Sequence, residues 1–416
     1  MGESNIRTSA AAPARRKFLS TSARLASAGW IAGLGGSWLL RPAWGQTAKV
    51  IRMGIASDVT GPYAASGNSM WQAAQFTADS INAEGGIAGR LIELVLEDTG
   101  SDPKTAVTNV RRLIQQHKVD VVIGGFTSAT RQAIKDPIVT RGRTLYIYPH
   151  LYEGKECTPN LFCTGPTPAQ QLDALIPYLV KTLGRKRFAF PSANYVWPQT
   201  INKYARRLIE ANGASVVFEE YYPLDQAEYS ATIQKIRDGG VDCVFNTIIP
   251  PGLQPFMKQL YESGFQERGG LVSCAFYDES LLNYNPMPEM EGLVSCLDFY
   301  QSVNDPSTRD LLAAYARRFP NTKYPFTAGS GCGGMYRGIK LYQAAVTATH
   351  GDVSRDAVAA ALDSAKIATG PGGGAEMVLG KRHCRLNMYI GQCRTEGGQA
   401  HYEVLSKSNM MDPKEC

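Results

Sequence analysis

Residues 146–168 read YIYPHLYEGKECTPNLFCTGPTP, and the architecture can be worked outward from them. A strand-like run, Thr144–Tyr148, ends in Pro149-His150, followed by Leu151-Tyr152-Glu153-Gly154. A buried strand ending in polar and aromatic groups is where open α/β sheets place their ligands. The exit, Gly165-Pro166-Thr167-Pro168, can continue neither a helix nor a central strand. The stretch therefore predicts half of a ligand site followed by a change of domain.

Upstream, strands and helices alternate. Lys49–Ala56 and Leu91–Glu97 read as strands. Ser66–Ala83 places apolar and small residues at helical spacing and stops at Gly85-Gly86. Asp102 is placed to cap a helix reaching Gln116. Val119–Ile123 is a continuous apolar run, the pattern of a parallel strand buried on both faces. Downstream the pattern restarts. Strands are predicted at Arg187–Pro191, Ser215–Tyr221, Asp242–Thr247, Gly270–Phe276 and Gly292–Leu297, with helices between them. Helices Ser307–Arg318, Gly334–Thr349 and Ser354–Ser364 and a late strand region, Lys381–Gln392, follow. Two such blocks predict an α/β chain of two doubly wound, Rossmann-like lobes, joined by about three crossover segments. Residues 49–165 and 298–375 are assigned to lobe I, 166–297 and 376–405 to lobe II, and 406–416 to a tail.

The formal charge of +6 comes mostly from the N-terminus. Residues 1–45 hold Arg7, Arg15, Arg16, Lys17, Arg24 and Arg41 against Glu3, a net +5, which leaves +1 for the rest. A near-neutral body gives no reason to expect nucleic acid as a partner. Arg15-Arg16-Lys17-Phe18-Leu19 is a twin-arginine signature, and Ala23–Leu40 is a weakly apolar run. Ala43-Trp44-Gly45 offers a cleavage site. Residues 1–45 are therefore read as a twin-arginine signal peptide, with the body exported to the periplasm. Export permits disulfides, and nine cysteines leave at least one unpaired within the chain. Cys157 with Cys163 and Cys384 with Cys393 are close in sequence across turns and are the expected pairs. No Cys/His spacing suits a metal.

A cleft between two such lobes collects the loops at the carboxyl ends of the strands. From lobe I these supply Phe126, Ser128, Tyr148, His150 and Tyr152. From lobe II they supply Tyr195, Trp197, Tyr277, Asp278 and Glu279. Aromatic walls with few polar groups suit a small polar ligand in a dry site. Each residue has a plainer use. Thr127 and Ser128 can cap the next helix, the tyrosines can be packing, His150 can be a turn residue, and Asp278 and Glu279 can start a helix. No Gly-x-Ser-x-Gly elbow, phosphate loop or His-Glu-x-x-His appears, so neither enzymatic chemistry nor a cofactor is expected.

Asn82-Ala83-Glu84-Gly85-Gly86-Ile87-Ala88-Gly89-Arg90, with Val121-Val122-Ile123-Gly124-Gly125, resembles the first lobe of type I periplasmic binding proteins of the branched-chain amino acid class. Tyr148-Pro149, Tyr152-Glu153-Gly154, Pro159-Asn160 and Gly165-Pro166-Thr167-Pro168 resemble the urea and short-chain amide receptors within that class. Asn194-Tyr195-Val196-Trp197-Pro198 fits the same subfamily, and the likeness covers nearly all of residues 49–405. The resemblance implies an ABC importer's solute receptor that closes on urea or an amide and docks on a membrane permease. It implies ligand contacts at Phe126, Ser128, Tyr148 and Tyr195, a further one at the position of His150, and an acid at Asp278 or Glu279. The chain departs from that pattern at Phe126, which lacks a hydroxyl, at His150, and at the bulkier Trp197. A branched-chain amino acid receptor and an amide sensor acting on a regulator are the other readings; the export signal opposes the sensor.

Overall fold

A computed structural model describes residues 50–283, 288–328, 331–397 and 399–414. The twin-arginine segment read at 1–45 lies outside them. The first block runs β1 (Ile51–Ser57), α1 (Ala64–Ala83), β2 (Ile92–Asp98), α2 (Pro103–Gln115), β3 (Val121–Gly124), α3 (Ser128–Lys135), β4 (Leu145–Tyr148) and β5 (Leu161–Cys163). The second runs α4 (Pro168–Pro177), β6 (Arg187–Ala193), α5 (Val196–Ala211), β7 (Ser215–Tyr222), α6 (Ser230–Asp238), β8 (Cys243–Phe245), α7 (Leu253–Glu262), β9 (Leu271–Cys274) and β10 (Val294–Leu297). The remainder is α8 (Pro306–Arg318), α9 (Cys332–Ala348), α10 (Arg355–Leu362), β11 (Lys366–Ile367), β12 (Ala375–Val378), β13 (His383–Glu396) and β14 (Gln399–Met411).

The strands follow one path, β2-β1-β3-β4-β5-β13-β10-β9-β8-β6-β7. Each block is a parallel sheet of five strands with the same order, and each reverses direction of growth next to its first strand, at β1/β3 and at β6/β8. Those reversal points open a crevice at the carboxyl ends of the strands. β13 joins the two sheets, parallel to β5 at His383↔Cys163 and antiparallel to β10. β3 and β4 are buried along their whole length, which is why Val121–Ile123 and Leu145–Ile147 read as unbroken apolar runs. Asp102 caps α2 by accepting from Thr105 N at 2.7 Å, and Pro103 fits the first helical position, where no N–H is needed. Among the described residues no helix is long and apolar enough to cross a membrane.

Three expectations change. The sequence reads as a surface turn over Gly154–Cys163, but residues 161–163 form β5 and are wholly buried or nearly so. Residues 406–411, expected as tail, continue β14 against β13. The disulfide pairs also fail. Cys163, Cys384 and Cys393 are buried free thiols, while Cys157 is in a disulfide whose partner lies outside the described residues. Cys163 faces the core from β5, whereas Cys157 is exposed on the turn. Cys384 and Cys393 share the extended strand β13. At about 3.3 Å per residue their separation far exceeds the 7 Å a disulfide tolerates.

Candidate ligand-binding cleft

The crevice holds a cavity of ≈ 50 Å³ between the two sheets. Every lining residue follows the carboxyl end of a strand. After β1 come Tyr63 and Ser66, after β3 Phe126, Thr127 and Ser128, and after β4 His150 and Leu151. After β6 come Tyr195 and Trp197, after β8 Ile249 and Pro250, and after β9 Phe276, Ser280 and Leu281.

Each side carries an aromatic triad. On the first, Phe126 lies 5.5 Å from Tyr63 and 4.3 Å from His150, ring centre to ring centre. On the second, Trp197 stacks on Tyr195 at 6.3 Å and meets Phe276 edge-on at 5.6 Å. Thr127 caps α3, its hydroxyl accepting from Thr130 N at 3.1 Å. Ser280 donates to Asp278 Oδ1 at 2.6 Å. Among the described lining residues there is no Asp, Glu, Lys or Arg.

Backbone contact fixes the His150 edge. A Cβ on Gly334 would stand 1.7 Å from Pro149 O, and one on Gly165 would stand 2.4 Å from the His150 carbonyl. Glycine is therefore required at both positions, and α9 presses directly on the Pro149-His150 turn.

Of the expected site residues, Phe126, Ser128, His150, Tyr195 and Trp197 line the cavity. Tyr148, Tyr152, Tyr277, Asp278 and Glu279 do not. Tyr148 points into the core behind the cleft, and its hydroxyl donates to Phe126 O at 2.8 Å. Tyr152 is buried and hydrogen-bonds His383 Nε2. Tyr277 is wholly buried against Asn246. Asp278 accepts from both Ser280 N and its hydroxyl. Glu279 turns away and accepts from Gln301 N at 2.8 Å; burial, then the charge of Asp278, push its carboxyl up to about 8. Tyr277 lies past the end of β9 at Cys274, its ring 4.7 Å from that of Phe276, behind the wall that Phe276 presents to the cavity. The sequence reading missed Tyr63, Ser66, Ile249, Pro250, Phe276, Ser280 and Leu281. Of these, Tyr63, Ile249 and Pro250 lie on the loops Ser57–Tyr63 and Thr247–Pro251, which the sequence places at strand ends facing the cleft, and Phe276 is the last residue of its predicted strand.

Behind the cleft lies a buried polar cluster. Arg131, on α3, meets Glu153 at 2.7 Å and Glu156 at 3.1 Å. Burial works against both carboxylates, but the Arg131 contacts, with Thr158 at Glu156, hold them below the usual carboxylate range. His383 contacts Lys381 O through Nδ1 at 2.5 Å, so Nε2 accepts from the Tyr152 hydroxyl. Burial pushes His383 down to about 4. A histidine held neutral stabilises the fold fully above about pH 6.5, and that contribution is lost as pH falls through about 4. The full shift corresponds to about 3 kcal/mol. Asp58 and Glu279, raised to about 6 and about 8, act in the opposite sense over part of that range. The effect is therefore read as a difference. Between pH 7 and pH 4.5 the His383→Gln variant should lose less stability to urea than the wild type, and equal losses would refute the assignment.

The family model described as periplasmic binding protein matches residues 50–399. The chain belongs to the periplasmic binding protein family. An amino acid binding protein of Pseudomonas aeruginosa is 28% identical over 223 residues, covering 52% of this chain and 58% of that protein. The chain thus matches under two thirds of that relative's length. The Leu/Ile/Val-binding protein of Escherichia coli is 22% identical over 288 residues, covering 65% of this chain and 77% of that one. Among solved structures, an ABC-transporter solute binding protein from Rhodopseudomonas palustris, in complex with 3,4-dihydroxybenzoic acid, superposes with a TM-score of 0.77 at 23% identity. That match covers 88% of this chain and 99% of the other. A leucine binding protein from Thermotoga maritima gives 0.73 at 17%, covering 86% and 99%. At these identities the structural likeness speaks for the periplasmic binding protein fold alone.

Proposed function

We propose that this chain is the periplasmic solute-binding component of an ABC importer, exported by the twin-arginine pathway and delivering its ligand, chemically unchanged, to an inner-membrane permease. The ligand is a small planar carbonyl compound, urea or a short amide in the first place. The observation that carries this is a cleft with two aromatic triads and, among the described lining residues, no acidic or basic side chain besides His150. A zwitterionic amino acid would bury an ammonium there without a carboxylate facing it, and an unpaired buried charge is costly. A neutral planar molecule stacks between the triads and asks only for hydrogen bonds. An aromatic carboxylate is a second reading. The apolar walls favour it, as does the likeness to the receptor solved with 3,4-dihydroxybenzoic acid.

A ligand that binds only the folded state raises its melting temperature. In a panel of urea, acetamide, benzoate, 4-hydroxybenzoate and leucine, the amides or the benzoates should raise the melt and leucine should not. A shift with leucine alone defeats the proposal. Tyr195→Ala should weaken the best ligand by roughly tenfold or more, since one lost stacking wall is worth about 1–3 kcal/mol.

A further inference from the structure

The geometry points to Trp197 as the residue that sets which oxygen-bearing solutes the cleft accepts, its indole N–H donating to an acceptor oxygen of the ligand. This rests on the proposed role of the cleft as the ligand site. Trp197 lines the cavity from the start of α5 and is 3% exposed. Its ring is fixed by Tyr195 and Phe276. Its Nε1 is buried and has no hydrogen-bond partner among the described residues. A buried indole N–H normally finds an acceptor, and leaving one unmet is costly.

The neighbouring wall offers little to meet it. Ile249, Pro250, Phe276 and Leu281 bring no polar side-chain atom to the cavity, and the Ser280 hydroxyl donates to Asp278 and does not meet the indole N–H. The group that completes Trp197 therefore comes with the ligand. Indole nitrogen donates and never accepts. It can meet a carbonyl, carboxylate or phenol oxygen but not an ammonium or the NH₂ side of an amide. An amide would turn its carbonyl toward Trp197, and a benzoate its carboxylate or a ring hydroxyl. A tyrosine here would accept as well as donate and would lose that discrimination.

The test measures acetamide, benzoate and 4-hydroxybenzoate by titration calorimetry against the full-length wild type and Trp197→Phe. The indole N–H resonance of Trp197, assigned by its loss in the variant, is followed in the ¹⁵N-labelled wild type. The probe that binds the wild type best should bind the variant roughly tenfold or more weakly, as expected when a buried polar partner is left unmet. The same probe should move the Trp197 resonance downfield in the wild type, a readout independent of how the variant folds. An unmoved resonance on saturation, or equal affinity in the variant, overturns the inference while leaving the cleft as the ligand site. If neither these three probes nor urea binds the wild type, the proposed ligand class fails and this inference fails with it.

Discussion

Arg131→Leu is expected to destabilise the protein by about 3–5 kcal/mol, the cost of removing one partner from a buried charge cluster. Arg131 is wholly buried. Its guanidinium sits 2.7 Å from Glu153 and 3.1 Å from Glu156, and 4.4 Å from the ring centre of Tyr152. Leucine would leave two buried carboxylates without their guanidinium, with Lys135 standing 3.4 Å from Glu156. The damage should reach the cleft. Arg131 stands on the helix that begins at Ser128, and Glu153 follows three residues after His150, so the pair ties two cleft loops together. Urea melts at pH 7 measure the loss, and a change below about 1 kcal/mol would show the cluster to be dispensable. Arg131→Leu combined with Glu153→Leu should be less harmful than the sum of the single changes, because the orphaned charge goes too.

This cluster also shows where reading the sequence stops. Arg131 has no mark that separates it from a solvated helix arginine; its burial depends on Glu153 and Glu156, more than twenty residues away in the chain. What sequence does carry is periodicity. The parallel strands were legible because burial on both faces removes polar residues altogether, and the helices because one face alternates at 3.6 residues. Strand ends then located Phe126, Ser128, His150, Tyr195 and Trp197 at the cleft. Side-chain direction past the end of a strand was not legible. Tyr148 still belongs to β4 and points inward, and Asp278 is consumed by its own turn at Ser280. Sequence proximity likewise misled for Cys384 and Cys393, since an extended strand carries residues apart as fast as a chain can.

Asp298→Ala should cost about 3–5 kcal/mol as well, and should change ligand affinity without touching the cleft wall. Asp298 follows β10, where the chain leaves the second sheet. Arg337, on α9, is 2% exposed and meets it at 2.5 Å without hydrogen-bond alignment. The same guanidinium donates to Thr164 O at 3.0 Å, where the chain leaves the first sheet after β5. A Cβ on Gly372 would stand 2.1 Å from Asp298 O, and Gly372 O in turn accepts from Asn387 Nδ2 and the Tyr389 hydroxyl of β13, each at 2.9 Å. The chain leaving the first sheet, the chain leaving the second and the β13 bridge thus meet around one buried ion pair. Alanine at 298 strands the Arg337 charge in that junction, and the carbonyl of Thr164 alone cannot neutralise it. Removing both charges, in Asp298→Leu with Arg337→Leu, should recover much of the stability, since buried pairs are often replaceable by apolar groups. The relative position of the two sheets would then lack its charged anchor. Ligand affinity should therefore stay altered in the double variant even where the urea melt is restored. A double variant with both stability and affinity at wild-type levels would show that the pair neither anchors the junction nor sets the geometry of the cleft.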